Sequence, residues 1–169
     1  PDSGLRREVW FSEDASNQKR VEEYKKYLTK LHENNGLSPE EAGETVDRVT
    51  DMMKDLASST LKIEEVYDPE KTYNVCTAGE AANLYSAALP FRLLNSIFGI
   101  QEGEKTVVSQ PDACRKLGSY LKEENLPLLK EYVKTCLYSD LSMMTDTASL
   151  DAAQEYQTAA GGMEKKKNF

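Results

Sequence analysis

Apolar residues recur at steps of three and four along most of the chain, and this spacing predicts amphipathic helices rather than strands. The first stripe consists of Val21, Tyr24, Leu28 and Leu31. An Asn-Asn-Gly sequence at residues 34–36 follows it, and a glycine behind a helical stripe is typical of a helix end. The pattern therefore predicts a first long helix that stops at residues 34–36.

A second, longer helix is predicted to start at Ser38. Serine at the cap, Pro39 at the first helical position and Glu41 three residues after the cap form a recognised start signal. The stripe behind it consists of Ala42, Val46, Val49, Met53, Leu56, Thr60 and Ile63. We expect this helix to end near Val66 and to pack antiparallel against the first helix across a short turn.

The rest of the chain alternates helix signals with short breaks. Pro69 interrupts the helical pattern, because the residue before a proline is pushed out of the helical region. Thr77 with Glu80 forms a second capping box. Further helices are predicted over residues 77–88, 90–99, 110–121, 126–141 and 150–159.

One short strand is predicted at residues 106–109, where the sequence is Thr-Val-Val-Ser. A strand needs a partner, and that partner can be a segment outside this chain. The predicted fold is all-α: an array of six or seven helices that includes a long antiparallel pair, with at most one short strand. We expect a single helical domain over residues 1–162 and a flexible basic tail over residues 163–169.

Charge and hydropathy argue against nucleic acid and membrane as partners of this segment. Twenty-nine acidic against 21 basic residues give a formal net charge of −8, which disfavours nucleic-acid binding. No apolar run reaches the about 18 residues of a transmembrane helix. We therefore predict that this segment contacts neither nucleic acid nor membrane. The amino terminus has no hydrophobic signal region, so either the protein is not exported or the chain begins inside a longer polypeptide. A start at Pro1 rather than at Met favours the second alternative.

The single histidine argues against catalysis by this chain. His32 and Glu33 start like the zinc-protease motif H-E-x-x-H, but Gly36 stands where the second histidine must be. His32 is therefore predicted to be a surface helix residue. Nucleophile systems of the Ser-His-Asp or Cys-His type also need a suitably placed histidine, and neighbouring carboxylates along a helix do not converge. We predict no catalytic, cofactor-binding or metal-ligating residue in this chain.

Cysteines and tyrosines leave alternatives open. Cys76, Cys114 and Cys136 are too few and too widely spaced for a disulfide framework or a zinc site. Cys114 and Cys136 fall on apolar helical positions, which favours buried thiols, and a disulfide between these two stays possible. Tyrosines are frequent on or beside the helical stripes. Anchoring at a half-exposed interface explains them, and a peptide-binding or interdomain surface is the sharper alternative.

An ordered series of motif residues begins at Asp68. Residues 68–74 read Asp-Pro-Glu-Lys-Thr-Tyr-Asn, and the series continues with Thr77, Glu80, Leu84 and Pro90. This order resembles the D-P-x-x-x-Y-N-x-x-T-x-x-E-L stretch of the neprilysin family of zinc metallopeptidases, which includes neprilysin, endothelin-converting enzyme and bacterial oligopeptidase O. Further matching residues are Val107, Val108, Pro111, Asp112, Leu117, Leu128, Tyr132, Leu137 and Leu141. The resemblance covers residues 1–162.

The resemblance implies a two-domain enzyme in which a helical lobe faces a thermolysin-like catalytic lobe across a large closed cavity. Zinc would be held by two histidines of H-E-x-x-H and a later glutamate, and an N-A-Y/F-Y-type motif would bind the substrate backbone. None of these motifs occurs in this chain, so no catalytic residue carries over. Departures from the family pattern at residues 78–79 and 81–83, and at Cys114 near the family's aromatic position, indicate a divergent bacterial member and leave its substrate preference open.

Two hypotheses of different classes follow. In the first, the chain is the non-catalytic helical lobe of a neprilysin-like zinc endopeptidase, which walls the substrate cavity and restricts access to small peptides. Its partners would be the catalytic lobe of the same polypeptide, which holds the zinc, and the peptide substrates of that parent, with an extracytoplasmic location favoured. In the second, the chain is a free-standing helical module that binds peptides or a partner protein. A large exposed apolar patch would favour the first hypothesis.

Overall fold

The structure, a computed structural model, describes residues 4–85 and 91–161. Within these residues the chain forms nine α-helices and two short strands, so the all-α class is confirmed. The helices are α1 (Arg7–Trp10), α2 (Ala15–Asn34), α3 (Pro39–Ser58), α4 (Pro69–Thr72), α5 (Ala78–Asn83), α6 (Phe91–Ile97), α7 (Pro111–Tyr120), α8 (Leu126–Thr145) and α9 (Thr147–Gly161). The strands are β1 (Asn74–Thr77) and β2 (Lys105–Val108), and a 3₁₀ turn at Glu123–Asn125 precedes α8.

The described residues hold more helices than the predicted six or seven because α1 and α4 are single turns. Each has four residues, which is too short for an apolar period to show in the sequence. The helix predicted over residues 77–88 ends at Asn83, and residues 86–88 lie outside the described part. The last helix starts at Thr147, three residues earlier than predicted.

The chain divides into two compact units. We call Asp55–Leu129 the middle unit, and residues 4–54 with 130–161 the terminal unit. The single domain over residues 1–162 stays a prediction. The basic tail predicted over residues 163–169 lies outside the described residues.

In the terminal unit, α2 and α3 form the predicted antiparallel pair. Tyr24 Oη lies 3.9 Å from Met53 Sδ, and Lys25 Nζ lies 2.7 Å from Asp47 Oδ1, so residues at similar distances from the connecting turn face each other. The fully buried apolar side chains of this pair include Leu28, Leu31, Val46, Val49 and Met53. Each such side chain stabilises the unit by about 1.5–3 kcal/mol. Helix α9 packs closely along α2, where Ala152 and Ala153 are buried.

Helix α3 ends at Ser58, not near Val66 as the apolar stripe predicted. The side-chain hydroxyls of Ser58, Ser59 and Thr60 each donate to the backbone carbonyl three residues earlier. A continuing helix needs these same carbonyls for its own backbone bonds. Three successive side chains thus compete with the helix and stop it.

The partner of β2 lies inside this chain, which corrects the prediction of at most one strand. β1 and β2 are antiparallel, with Asn74 opposite Val108 and Thr77 opposite Lys105. The sequence hides β1 because Thr77 also caps α5, where its hydroxyl accepts from the backbone N–H of Glu80 at 3.2 Å. Because the last residue of this four-residue strand is also the cap of a helix, the sequence indicates the helix and not the strand.

Candidate functional site

His32 lies in the core of the terminal unit, which corrects the prediction of a surface position. Its side chain is 3% exposed. The ring nitrogen Nε2 lies 2.8 Å from Oγ1 of Thr135 on α8, and the ring meets Tyr138 edge-on, with centroids 5.3 Å apart. A residue near the end of α2 is therefore buried by a helix a hundred residues away, which the local pattern cannot reveal.

The hydroxyl of Thr135 links the ring of His32 to the backbone of α8. Thr135 has one hydroxyl hydrogen, which it donates to the backbone carbonyl of Glu131 at 2.9 Å. Because that hydrogen serves the Glu131 carbonyl, the matching neutral form of His32 is the one that carries its proton on Nε2 and donates to Oγ1; in the other tautomer Nε2 accepts the threonine hydrogen. Burial lowers the pKa of His32 below its ordinary 6.5, while the charge of Glu131 opposes this shift and that of Lys134 adds to it.

A metal site and a membrane span each place requirements on the described residues. They contain no group of three or more histidine, cysteine, aspartate or glutamate side chains that could hold a metal ion. Nε2 of His32 lies 2.8 Å from Oγ1 of Thr135, so this nitrogen is occupied by a hydrogen bond inside the core. Across residues 4–85 and 91–161, no helix has the length and apolar composition needed to cross a bilayer.

An aromatic cluster ties the helices of the terminal unit together. Tyr24 and Tyr27 are buried on α2, and Tyr156 of α9 stacks on Tyr27 with ring centroids 5.1 Å apart. Trp10 of α1 meets Tyr24 edge-on at 6.3 Å. The hydroxyl of Tyr27 donates to Oγ of Ser142 on α8 at 2.9 Å. Tyr24 and Tyr27 are therefore core residues rather than half-exposed anchors.

Helix α8 presents its apolar face outward. Several of its large apolar side chains in the terminal unit are exposed, and four of them recur at helical spacing: Val133, Leu137, Leu141 and Met144, each between 45% and 82% exposed. Lys130, Lys134 and Asp140 are exposed as well. The face that packs against α2 is polar, with Thr135 and Ser142 buried and hydrogen-bonded to His32 and Tyr27. These apolar side chains therefore lie outside the core, unlike those of a typical amphipathic helix.

Small side chains dominate the core of the middle unit. Its buried apolar residues are Leu56, Ala57, Ala78, Ala82 and Ala113. Large apolar side chains are exposed instead, among them Tyr67, Ile97 and Phe98 at 67–83%. In both units, therefore, several large apolar side chains are exposed to solvent.

A pocket of about 520 Å³ opens in the middle unit between α5, α6, α7 and β2. None of its 15 lining residues is charged, although 30% of the chain is. The rings of Tyr85 and Phe91 stack 4.3 Å apart at its wall. Cys114, a half-buried thiol outside any disulfide, donates to the Tyr85 hydroxyl at 3.0 Å. Burial, followed by this thiol, raises the pKa of Tyr85 to about 12, so its phenol stays neutral.

Fold and surface together define the class of this protein: a helical domain with a small two-stranded sheet and with large apolar side chains on its outside. The chain belongs to peptidase family M13, whose amino-terminal family model matches residues 1–168. The resemblance to the neprilysin-like zinc metallopeptidases expected from the sequence is thereby confirmed.

Two solved structures have the same fold. A cryo-EM structure of the Mycobacterium tuberculosis zinc metalloprotease Zmp1 in an open state matches with a TM-score of 0.84 and 16% identity, covering 99% of this chain. A crystal structure of the same metalloprotease in complex with an inhibitor matches with a TM-score of 0.79 and 16% identity over 92% of the chain. The chain spans about a quarter of those proteins, 26% and 24% respectively. No curated protein matches it.

Proposed function

We propose that this chain is the non-catalytic helical lobe of a zinc metallopeptidase, which walls the substrate cavity and restricts access to small peptides. Family membership supports the peptidase assignment. The matched zinc metalloproteases are about four times as long, which leaves room for a catalytic lobe elsewhere in a parent polypeptide. In this proposal the zinc and the hydrolytic chemistry belong to that lobe.

The outward apolar face of α8 carries this proposal. Leu137 and Leu141 are about half exposed, while the helix buries the polar Thr135 and Ser142. Leaving large apolar side chains in water forgoes about 25 cal/mol for each Å² that could be covered. A surface of this kind is typical of one that packs against further polypeptide. The exposed apolar residues and the alanine-rich core of the middle unit support the same interpretation.

The function is tested by comparing the natural full-length polypeptide with the 169-residue chain. We expect the full-length protein to bind stoichiometric zinc and to cleave a short quenched peptide. It should spare the same sequence inserted in an exposed loop of a larger folded protein. The isolated chain should do neither. Zinc is measured by atomic emission and cleavage by fluorescence and mass spectrometry.

The apolar face is tested in the full-length protein with the double variant Leu137→Asp, Leu141→Asp. Losing its contact with the rest of the polypeptide should lower the rate on the short peptide by tenfold or more, on the order expected when charges enter an apolar interface. Lys130→Asp is the matched control, because it changes the net charge by the same amount at an exposed position of α8. Equal rates for both variants would contradict a role of this face in the enzyme.

The alternative is a free-standing helical interaction module. A natural reading frame that ends soon after residue 169, with tight binding of a partner protein and no zinc uptake, would replace the first proposal by this one. For the parent peptidase we also propose an extracytoplasmic location, which fractionation of the source cells with an antibody against this lobe would test.

A further inference from the structure

We propose that the outer edge of β2 and the neighbouring pocket of the middle unit bind an extended peptide segment that carries an aromatic or large aliphatic side chain. The inference rests on the proposed function in one respect, that the parent protein handles peptides. The site lies wholly in the middle unit and uses backbone groups of β2 together with an uncharged pocket.

The hydrogen-bond pattern of the sheet leaves one edge of β2 available. The backbone N–H of Ala78 donates to the carbonyl of Glu104, and this pair lies in the same register as Cys76 with Thr106. In antiparallel pairing, bonded and non-bonded pairs alternate, so the N–H and C=O of Val107 point away from β1. The sheet formed by the described residues has two strands, and none lies on that side of β2.

The pocket lies next to β2. Thr106, Val107 and Val108 all line it, although the side chain of Val107 must lie on the opposite face of the sheet from those of its two neighbours. We therefore take Val107 to border the pocket through its backbone. An added strand that pairs with Val107 would place alternate side chains at the mouth of the pocket, which is the geometry of strand-addition sites.

The chemistry of the pocket selects its ligand. Without a charged residue in its lining, it offers no partner to a buried charge, whose desolvation would be costly. Its volume of about 520 Å³ suits an aromatic or large aliphatic side chain with the neighbouring backbone. Tyr85 receives its hydrogen bond from Cys114, so its own hydroxyl hydrogen is available to a peptide carbonyl. A neutral, apolar, extended peptide is the ligand that fits these features.

The test titrates the blocked peptide acetyl-Thr-Val-Phe-Val-Thr-amide into the natural full-length protein and follows binding by calorimetry. Replacing the peptide's phenylalanine by alanine should weaken binding about tenfold or more, and lysine there should abolish it. Methylating the backbone nitrogens of the peptide should weaken binding about fivefold or more, because strand addition needs those donors. Amide exchange at Val107 should slow when the peptide binds.

Two protein variants and a matched control locate the site. Ala81→Leu fills the pocket and should weaken binding about tenfold. Val107→Pro removes the outward N–H of β2 and should weaken it about fivefold. Val75→Pro is the control. Val75 lies opposite Val107 in the register, so this substitution removes an outward N–H from the outer edge of β1 instead of β2. Binding of the peptide should stay within about twofold of the wild type.

Three results would contradict the proposed site. The first is an equal loss of binding affinity in Val75→Pro and Val107→Pro, and the second is unchanged affinity for the methylated peptide. The third is a Val107 amide that is already protected from hydrogen exchange in the peptide-free protein. The last would mean that another segment covers the edge. Because the methylated peptide needs no protein variant, misfolding of a proline variant leaves a decisive measurement. If the full-length protein is a zinc peptidase but fails these binding tests, the proposed function stands and the peptide site is wrong. If it binds the peptide but takes up no zinc, the peptide site stands and the proposed function is wrong.

Discussion

At the scale of single residues, His32 shows what the sequence predicts and what it misses. Gly36 stands where the zinc-protease motif has its second histidine, so the sequence alone predicts no zinc ligand there. The sequence predicted a solvent-exposed position for His32, whereas in the structure its ring contacts the hydroxyl of Thr135 and the ring of Tyr138, both on α8. Burial depends on which distant element lies over a residue, and α8 begins almost a hundred residues later in the chain.

The lowered pKa of His32 predicts a loss of stability in acid. The unfolded chain takes up a proton near the ordinary pKa of 6.5, whereas the buried ring resists protonation to lower pH. The contribution of the neutral ring is therefore complete above that value and declines as the pH falls below it. The free energy of unfolding in urea should fall more between about pH 7.5 and about pH 5.5 in the wild type than in His32→Gln.

Glutamine is a suitable replacement because its amide can still donate to Thr135. The ion pair between Glu131 and Arg48 involves no atom of residue 32, so the substitution leaves both of its partners in place. Identical pH dependence in the two proteins would contradict a buried neutral ring at this position.

At the scale of helices and strands, the sequence predicted most elements and missed their surroundings. Periodicity groups residues on a common face, and capping residues place the carboxyl-terminal end of α2 and the starts of α3 and α5. Periodicity does not say which face is covered. In α8 the apolar residues do share a face, but the interior of this unit meets the opposite side, where hydroxyl groups find specific partners on α2.

The exposed face of α8 predicts unusual tolerance to polar substitution in the isolated chain. Leu137→Gln and Leu141→Gln should each change the free energy of unfolding by no more than about 0.5 kcal/mol, because these side chains are about half exposed. Leu28→Ala is the contrasting variant: its fully buried side chain should cost about 2–5 kcal/mol. Chemical unfolding followed by circular dichroism measures all three, and a cost above about 2 kcal/mol for either glutamine variant would place that leucine in the core.

At the scale of the whole molecule, the sequence identified the family before the fold was known. The order of motifs from residue 68 to residue 141 led to the same family that the amino-terminal family model matches. The pocket and the free edge of β2 were not predictable in this way. They arise from the packing of four short elements whose local patterns show only helix caps and one strand.

The exposed apolar surface also predicts how the 169-residue chain behaves in solution. Its net charge of −8 repels other copies at low salt, while the apolar face of α8 favours association. Raising the salt concentration screens the charge, so association should increase and the double variant Leu137→Gln, Leu141→Gln should suppress it. Sedimentation velocity measures both effects. Salt-induced association that persists in the double variant would assign it to another surface.

The contact between Trp10 and Tyr24 has a spectroscopic consequence. Trp10 is the chain's single tryptophan, it is buried in the terminal unit, and neighbouring tyrosine rings lie close enough to transfer excitation energy to it. Its emission should shift to longer wavelength when α1 separates from α2. The middle unit has no indole of its own. Intrinsic tryptophan fluorescence therefore reports on the terminal unit, and optical detection of events at the pocket requires a label introduced into the middle unit.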